Sequence, residues 1–468
     1  MKKFLIVFIT ICISVLAVPL VAMIFRPTTE STDNRKLAQF PAVTKPDGSL
    51  NVAFFSGFDS WFSDHFAFRN ELIYADANIQ NDVFKVSNVD NVISGRDGWL
   101  FYTSTLKDYL GTDRMSDREI YNIAHNISIA YDYVKDKGCK FVLTVPANKN
   151  TLYGEYMPYY DSYIVDNVHN IDALTPLLND MQIPYADLVK SFKDEEEILY
   201  LKTDSHWNNK GAVLAYNNIM DTLELPHDDY SSVNVTMRAD EAGDLSKMMY
   251  TFYGQKEPNY YYDIQQRFEY SDAFKSVEDG RIETNGTGQN GDLLMFRDSF
   301  GNTLIPLIAN EFANGRFSRE AAYSLEKYIE ESRPDVVVFE KVERNIGEFI
   351  KMPPVIAAPV YDSEDEAFPD IAIVNDTEGS NMVMKTLELD SDYYEISGEL
   401  VKGRIKTDSD IIINVNGTYY KAYHTGECGY SLYLKKEDVT FPAVVYVNVT
   451  GMATNPLEKK TFLIDNVQ

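Results

Sequence analysis

Three short apolar runs set among helix-patterned stretches constrain this chain more than any other feature. Residues 140–145, 293–296 and 336–339 are apolar almost throughout instead of alternating, the texture of strands covered on both faces. Around them, residues 117–135, 171–181, 210–223, 299–312 and 319–332 repeat apolar positions at helical spacing, and 183–188 reads as a further strand. Helices alternating with buried strands predict an α/β fold with a mainly parallel sheet. With 468 residues the chain exceeds one ordinary domain. Residues 27–50, polar and Pro-containing, read as a stalk before an α/β domain over 51–359. An acidic linker over 360–370 precedes short alternating runs such as 411–415 and 444–449, which predict a β-sandwich over 371–468. Within the first domain, the aromatic pattern of 52–73 predicts an amphipathic helix, and 91–102 a hairpin turning at Gly95-Arg96-Asp97-Gly98. Between 228 and 290 the periodicity fades and tyrosines gather at 250, 253, 260, 261, 262 and 270, which reads as aromatic packing or as a sugar-stacking surface.

The N-terminus differs from the rest. Met1-Lys2-Lys3 precedes an uncharged apolar run from Phe4 to Phe25, closed by Arg26. As a helix that run is about 33 Å long, enough for a bilayer core. A cleaved signal peptide is the rival reading, but Leu20 and Ala22 make a poor cleavage pattern. Residues 1–26 are therefore expected to be an uncleaved signal anchor. Lys2 and Lys3 would stay in the cytoplasm and the remainder would lie outside a single-pass cell-membrane helix. A net charge of -28 argues against nucleic acid and against docking through a basic patch. Cys12, Cys139 and Cys428 give no disulfide framework.

Two segments can carry chemistry. Ser299 follows the run 293–296 and opens a helical stretch; such a turn raises a hydroxyl above a sheet and points backbone N–H groups at an oxyanion. Gly301 leaves room for an incoming ester. The plain alternative is that Asp298 or Ser299 only caps the helix. Asp204 and His206 supply what a serine nucleophile needs: a base, and a carboxylate fixing its tautomer. Asp-x-His alone is a weak motif, since His206 can simply pack beside Trp207. The six histidines lack the spacing of a metal site, so neither a metal nor another cofactor is expected.

Several segments, taken in order, resemble one family. They are Asp33-Asn34-Arg35-Lys36-Leu37-Ala38-Gln39-Phe40-Pro41, then Trp61-Phe62-Ser63-Asp64-His65-Phe66-Ala67-Phe68-Arg69, then Gly95-Arg96-Asp97-Gly98-Trp99-Leu100-Phe101. Val145-Pro146-Ala147-Asn148-Lys149, Thr203-Asp204-Ser205-His206-Trp207, Gly243-Asp244-Leu245 and Arg297-Asp298-Ser299-Phe300-Gly301 follow. Over residues 35–350 the chain resembles the SGNH-hydrolase-like extracytoplasmic polysaccharide O-acetyltransferases, which are named from an Asp-His-His-Trp motif and include the alginate acetylation proteins. The resemblance implies a permuted SGNH fold with Asp204, His206 and Ser299 as catalytic triad and a polysaccharide acceptor. It also implies a multi-pass membrane acyltransferase supplying acetyl, and a carbohydrate-binding C-terminal domain. Ser205 stands where the name-giving motif has one of its two histidines, and the usual oxyanion Gly and Asn blocks are not recognisable. Arg344 and Lys149, at the carboxyl ends of strands, are candidates to assist the oxyanion or bind the acyl donor. For Arg344 the alternative is an ion pair with Glu340 or Glu343. His65 reads as a packed structural residue. A carbohydrate esterase with the same triad, or a non-catalytic polysaccharide-binding scaffold, are the other functions compatible with these residues.

Overall fold

The computed structural model describes residues 2–28, 37–240, 242–250, 254–320, 324–361, 381–388, 390–400, 405–450 and 462–464. A hairpin of β1 (Val92–Ser94) and β2 (Leu100–Tyr102) leads into a seven-stranded sheet. That sheet contains β3 (Lys140–Thr144), β4 (Tyr185–Ala186), β7 (Phe268–Tyr270), β8 (Arg281–Gly286), β9 (Asp292–Phe296), β10 (Asn314–Ser318) and β11 (Val336–Glu340). Its order is β4-β3-β11-β9-β10-β8-β7; the first five strands are parallel, and β8 and β7 add on antiparallel. A separate two-stranded ribbon pairs β5 (Val235–Arg238) with β6 (Asn259–Tyr262).

The strand runs are apolar because both faces are covered. Phe141, Leu143, Leu294, Phe296, Val337 and Phe339 point into a core shared with Ile120, Ile123 and Ile127. Their neighbours Val142, Leu293, Met295, Val336 and Val338 point into the opposite core with Trp207, Ala212, Tyr216 and Ile219. Each such side chain contributes roughly 1.5–3 kcal/mol by leaving water. The helix Asp117–Asp136 starts at a capping box: Glu119 N–H donates to Ser116 Oγ at 3.2 Å, and Ser116 N–H to Glu119 Oε2 at 2.9 Å.

Four expected elements differ. Residues 52–73 form two helices, Phe54–His65 and Arg69–Asn78, because Phe68 adopts a left-handed conformation (φ 63°) between them. Residues 299–312 are broken into a short turn at Phe300–Thr303 and a helix at Ile305–Ala309, since Pro306 has no N–H to continue an earlier turn and sits at a helix start. The strand expected at 183–188 is only Tyr185–Ala186, with Asp187 capping a helix at Leu188–Lys193. The helix expected over 319–332 is described only as Leu325–Ser332.

The N-terminal run is helical over Lys2–Ala22 and exposes Phe4, Leu5, Ile6, Val7 and Phe8. Among the described residues no helix is long and apolar enough to cross a membrane. The expected linker falls almost wholly on residues 362–380, outside the described ones.

Toward the C-terminus two four-stranded antiparallel sheets face each other. One has the order β12 (Asn381–Thr386), β13 (Tyr393–Glu399), β17 (Gly429–Lys435), β16 (Tyr423–Thr425). The other runs β15 (Thr418–Lys421), β14 (Ile411–Val415), β18 (Ala443–Val449), β19 (Phe462–Ile464). Ile396, Leu432 and Leu434 meet Ile411, Ile413, Val445 and Val447 in one core. This strand-rich region docks on the helix Asp117–Asp136 through buried polar groups. The His125 and His424 rings stack with centroids 3.8 Å apart. Asn126 receives the His424 N–H and donates to its carbonyl, each at 2.8 Å, and Arg118 donates to the carbonyls of Thr407 and Ser409. Ile411 N–H donates to His424 Nε2, which therefore carries no proton.

Burial pushes both imidazoles below their usual range, helped at His424 by the charges of His125 and Arg118 and opposed at His125 by Asp410. A group whose folded-state pKa is depressed this way stabilises fully above its unfolded value of 6.5, and that stability is lost as pH falls below it. Thermal unfolding of the native chain and of a His125→Gln/His424→Gln variant, compared at pH 7 and pH 5, is expected to show the smaller loss in the variant. Equal losses would refute this account of the interface.

Candidate active site

The carboxyl ends of β3, β9 and β11 converge on one side of the sheet, and the loop 201–206 closes over them. Ser299 lies three residues past β9. Its turn is stapled to β11: Asp298 N–H donates to Glu340 Oε2 at 2.8 Å, while Asp298 Oδ1 and Oδ2 accept from Phe300 N–H at 2.9 Å and Val342 N–H at 2.8 Å. Asp298 therefore does the local capping. Ser299 makes no side-chain cap bond, and its Oγ lies 2.8 Å from His206 Nε2. The other ring nitrogen, Nδ1, is 2.7 Å from Asp204 Oδ1. Asp204, His206 and Ser299 are thus brought together in the Asp–His–Ser order of a hydrogen-bonded triad, from a pair separated by 93 positions.

Each member is held from behind. Asp204 Oδ1 also accepts from His206 N–H at 2.9 Å, and Asp204 Oδ2 from Asp244 N–H at 2.8 Å. Phe300 packs its ring 4.7 Å from the imidazole, against Trp207, whose indole N–H donates to Thr303 Oγ1 at 2.6 Å. Asp244, which sequence reasoning quoted without a role, is a second carboxylate 3.7 Å from His206 Nδ1 and accepts from Ser205 Oγ at 2.5 Å. Glu257, missed altogether, accepts from Lys202 N–H, Thr203 N–H and Thr203 Oγ1 at 2.5–2.7 Å. Gly243 has to be glycine: a Cβ there would lie 2.2 Å from the Thr203 carbonyl oxygen.

The electrostatics suit a base. Burial disfavours charge on His206, but the hydrogen bond and charge of Asp204 and the charge of Asp244 outweigh it, so its pKa is raised; Arg344 opposes the rise. Burial likewise disfavours the Asp204 carboxylate, yet the hydrogen bond and charge of His206 bring it down to about 2. Burial and the charge of Asp204 raise Asp244. Asp204, His206 and Asp244 have ligand atoms within 4.8 Å of one another, as a metal would need. Both ring nitrogens are nevertheless committed, one to Asp204 and one to Ser299.

Three secondary candidates are placed differently. Lys149 is not an oxyanion donor. It is 4% exposed, and its Nζ donates to the carbonyls of Lys202 (2.7 Å) and Asp204 (2.8 Å) over the rings of Trp99 and Phe101, so it braces the loop from below. Burial lowers its pKa to about 7 against the opposing charges of Asp204, Glu257 and Asp244. Gly301 is buried and does not clear a path for an ester. A Cβ there would lie 2.7 Å from Arg297 Cβ and 3.0 Å from Glu340 Oε2, so its role is close packing under the turn. Arg344 faces the triad: its guanidinium carbon is 5.8 Å from the Phe300 ring centre and 5.6 Å from that of Tyr102. Among the described residues neither Glu340 nor Glu343 pairs with it. His65 stacks on Trp61 with Nδ1 at the Trp61 carbonyl, as a packing residue. Of the clustered tyrosines, Tyr250 is buried against Tyr74 and Tyr270 stacks on Phe274.

Among solved structures, Bacillus cereus PatB1 with a sulfonyl adduct is 18% identical, covering 56% of this chain and 96% of its own at a TM-score of 0.42. A DHHW family protein from Eubacterium siraeum is 15% identical over 55% of this chain and 96% of its own, at 0.41. The O-acetyltransferase domain of Pseudomonas putida AlgJ is 18% identical over 55% and 92%, at 0.38. Scores this low carry no weight beyond the likeness itself. Comparison with curated proteins finds no match. The family model of the SGNH hydrolase-like domain of the acetyltransferase AlgX matches residues 92–288, a stretch that includes Lys149, Asp204, His206 and Asp244 and stops short of Ser299 and Arg344. Over that stretch the chain is similar to the SGNH hydrolase-like domain of the acetyltransferase AlgX, the family to which its sequence motifs pointed.

Proposed function

We propose that this protein transfers acetyl groups to hydroxyls of a cell-surface or exported polysaccharide through an acetyl-Ser299 intermediate. The observation that carries the reading is the 2.8 Å contact of His206 Nε2 with Ser299 Oγ, with Asp204 2.7 Å behind the imidazole. In the first half-reaction Ser299 Oγ attacks the donor's carbonyl carbon while His206 takes the hydroxyl proton. Collapse of the tetrahedral oxyanion breaks the ester bond, and the proton passes from His206 to the leaving alcohol. In the second half, a sugar hydroxyl gives its proton to His206, attacks the acetyl carbon, and releases Ser299. The Ser299 N–H and the Arg344 guanidinium are the proposed oxyanion donors. Arg344 has no carboxylate partner among the described residues, and its charge is felt at His206.

Acetyl donors are made inside the cell, so a multi-pass membrane acyltransferase is the proposed source of the group. The uncharged apolar run from Phe4 to Phe25 is the proposed single-pass anchor keeping an extracytoplasmic domain beside that partner. The strand-rich C-terminal region is the proposed holder of the polysaccharide.

Ser299→Ala should cost at least about 10^3-fold in turnover of an acetylated chromogenic ester while the circular dichroism stays unchanged. Adding an oligosaccharide should yield acetylated sugar; acetate release alone would make the protein an esterase, and full activity in Ser299→Ala would leave it a binding scaffold. Because His206 must be neutral to act, the rate should fall as pH drops through its raised pKa. Asp244→Asn removes a charge that raises that pKa and should move the acid limb to lower pH. Arg344→Ala removes a charge that lowers it, so the limb should move to higher pH, with the rate down about 10^2-fold. Limbs shifting the same way in both variants would contradict this electrostatic assignment.

A further inference from the structure

We propose that Asp108, His169 and Glu343 form a binding site for one divalent first-row metal ion, of which Zn2+ is the type. The site is distinct from the triad and independent of the reading given above. Its three residues are supplied by the short helix Leu106–Leu110, the residue capping the helix Asn170–Asp180, and the turn that follows β11. Asp108 and Glu343 are 7% and 2% exposed.

The donor atoms are arranged for one. His169 Nδ1 lies 3.1 Å from Asp108 Oδ2 and 3.9 Å from Glu343 Oε1, and all three ligand atoms fall within 4.8 Å of one another. Metal–ligand bonds of about 2.0–2.2 Å place neighbouring donors about 3.0–3.5 Å apart, so an ion fits among these atoms with small side-chain shifts. The second observation is an unmet acceptor. Glu343 Oε2 receives Asn148 N–H at 2.6 Å and Thr151 Oγ1 at 2.7 Å, whereas Oε1, fully buried and turned toward His169, has no hydrogen-bond partner. Asn148, 1% exposed, also carries a buried Oδ1 without a partner while its Nδ2 donates to Asp108 Oδ2 at 3.1 Å. Rotating that amide would offer a fourth oxygen. One imidazole nitrogen with carboxylate oxygens suits Zn2+ or Mn2+ better than the all-oxygen shell that Ca2+ prefers.

The consequence is structural. Asn148 and Glu343 immediately precede Lys149, which braces the loop under Asp204, and Arg344, which faces the triad. An ion here would tie together the two strand ends that carry those side chains, without touching a reacting atom.

The full chain, freed of metal by dialysis against a chelator, is titrated with Zn2+ by calorimetry and with Co2+ by visible absorption. One ion per chain is expected, with a raised unfolding midpoint. Affinity should fall at least about tenfold in both His169→Gln and Glu343→Gln, and stay unchanged in His206→Ala. No stoichiometric uptake by the native chain would overturn the proposal, leaving an imidazolium shared between two carboxylates. So would loss of binding in His206→Ala, which would put the ion at Asp204 and Asp244 instead. If His169→Gln does not fold, Asp108→Asn replaces it, and native affinity in that variant is equally fatal.

Discussion

A hydrogen bond of 2.8 Å between His206 and Ser299 has to be held across 93 positions by a loop with little regular structure of its own. The serine side of this contact is rigid for familiar reasons. It sits past a fully buried strand, with Asp298 binding the turn to the end of β11. The histidine side is rigid for a different reason: its loop is clamped by charges. Lys149 donates to two of its carbonyls from beneath, and Glu257 collects its N–H groups from outside. Helix dipoles and apolar packing alone would not fix backbone in this conformation, because loop carbonyls and amides facing inward need partners that water cannot supply there.

That clamp explains a composition which otherwise looks wasteful. Burying an ammonium costs several kcal/mol, and burial accordingly depresses the pKa of Lys149. The charges of Asp204, Glu257 and Asp244 offset that penalty in part, so the cation and the acidic loop depend on one another. Removing one partner from such a set typically costs about 3–5 kcal/mol through the charge left behind. The site is therefore one electrostatic unit, and the triad is its exposed edge.

This is also where sequence reading reached its limit. Buried strands announce themselves, because residues pointing to both faces must be apolar, and β3, β9 and β11 were legible for that reason. The strand β8, one in from the sheet's edge, was not. Of Arg281–Gly286 only Ile282 and Thr284 are buried, leaving no apolar run to see. The helix expected from Ser299 onward failed at Pro306, a residue visible in the sequence but outweighed by the apolar spacing around it. Asp204, His206 and Ser299 were legible through the ordered family motifs around them, since Asp-x-His alone is a weak signal and Ser299 could equally have capped a helix. The role of Lys149 was hidden, since its partners are backbone carbonyls, and a carbonyl has no letter in a sequence. Glu257 was hidden for the mirror reason: it serves backbone amides.

The replacement of one of the motif's two histidines by Ser205 follows from the same clamp. Ser205 N–H and Oγ donate to the two oxygens of Asp244, at 2.7 and 2.5 Å, and this turns that carboxylate toward His206 Nδ1. A hydroxyl can make the second bond without adding charge, whereas an imidazole in its place would add a titrating group beside His206. Asp244 in turn donates its own N–H to Asp204. Orientation of the base thus depends on a ring of bonds running from Ser205 to Asp244 to Asp204 to His206. The residue type at position 205 matters for what it does to Asp244 and, with its Oγ 3.3 Å from His206 Nδ1, for what it does at the imidazole itself.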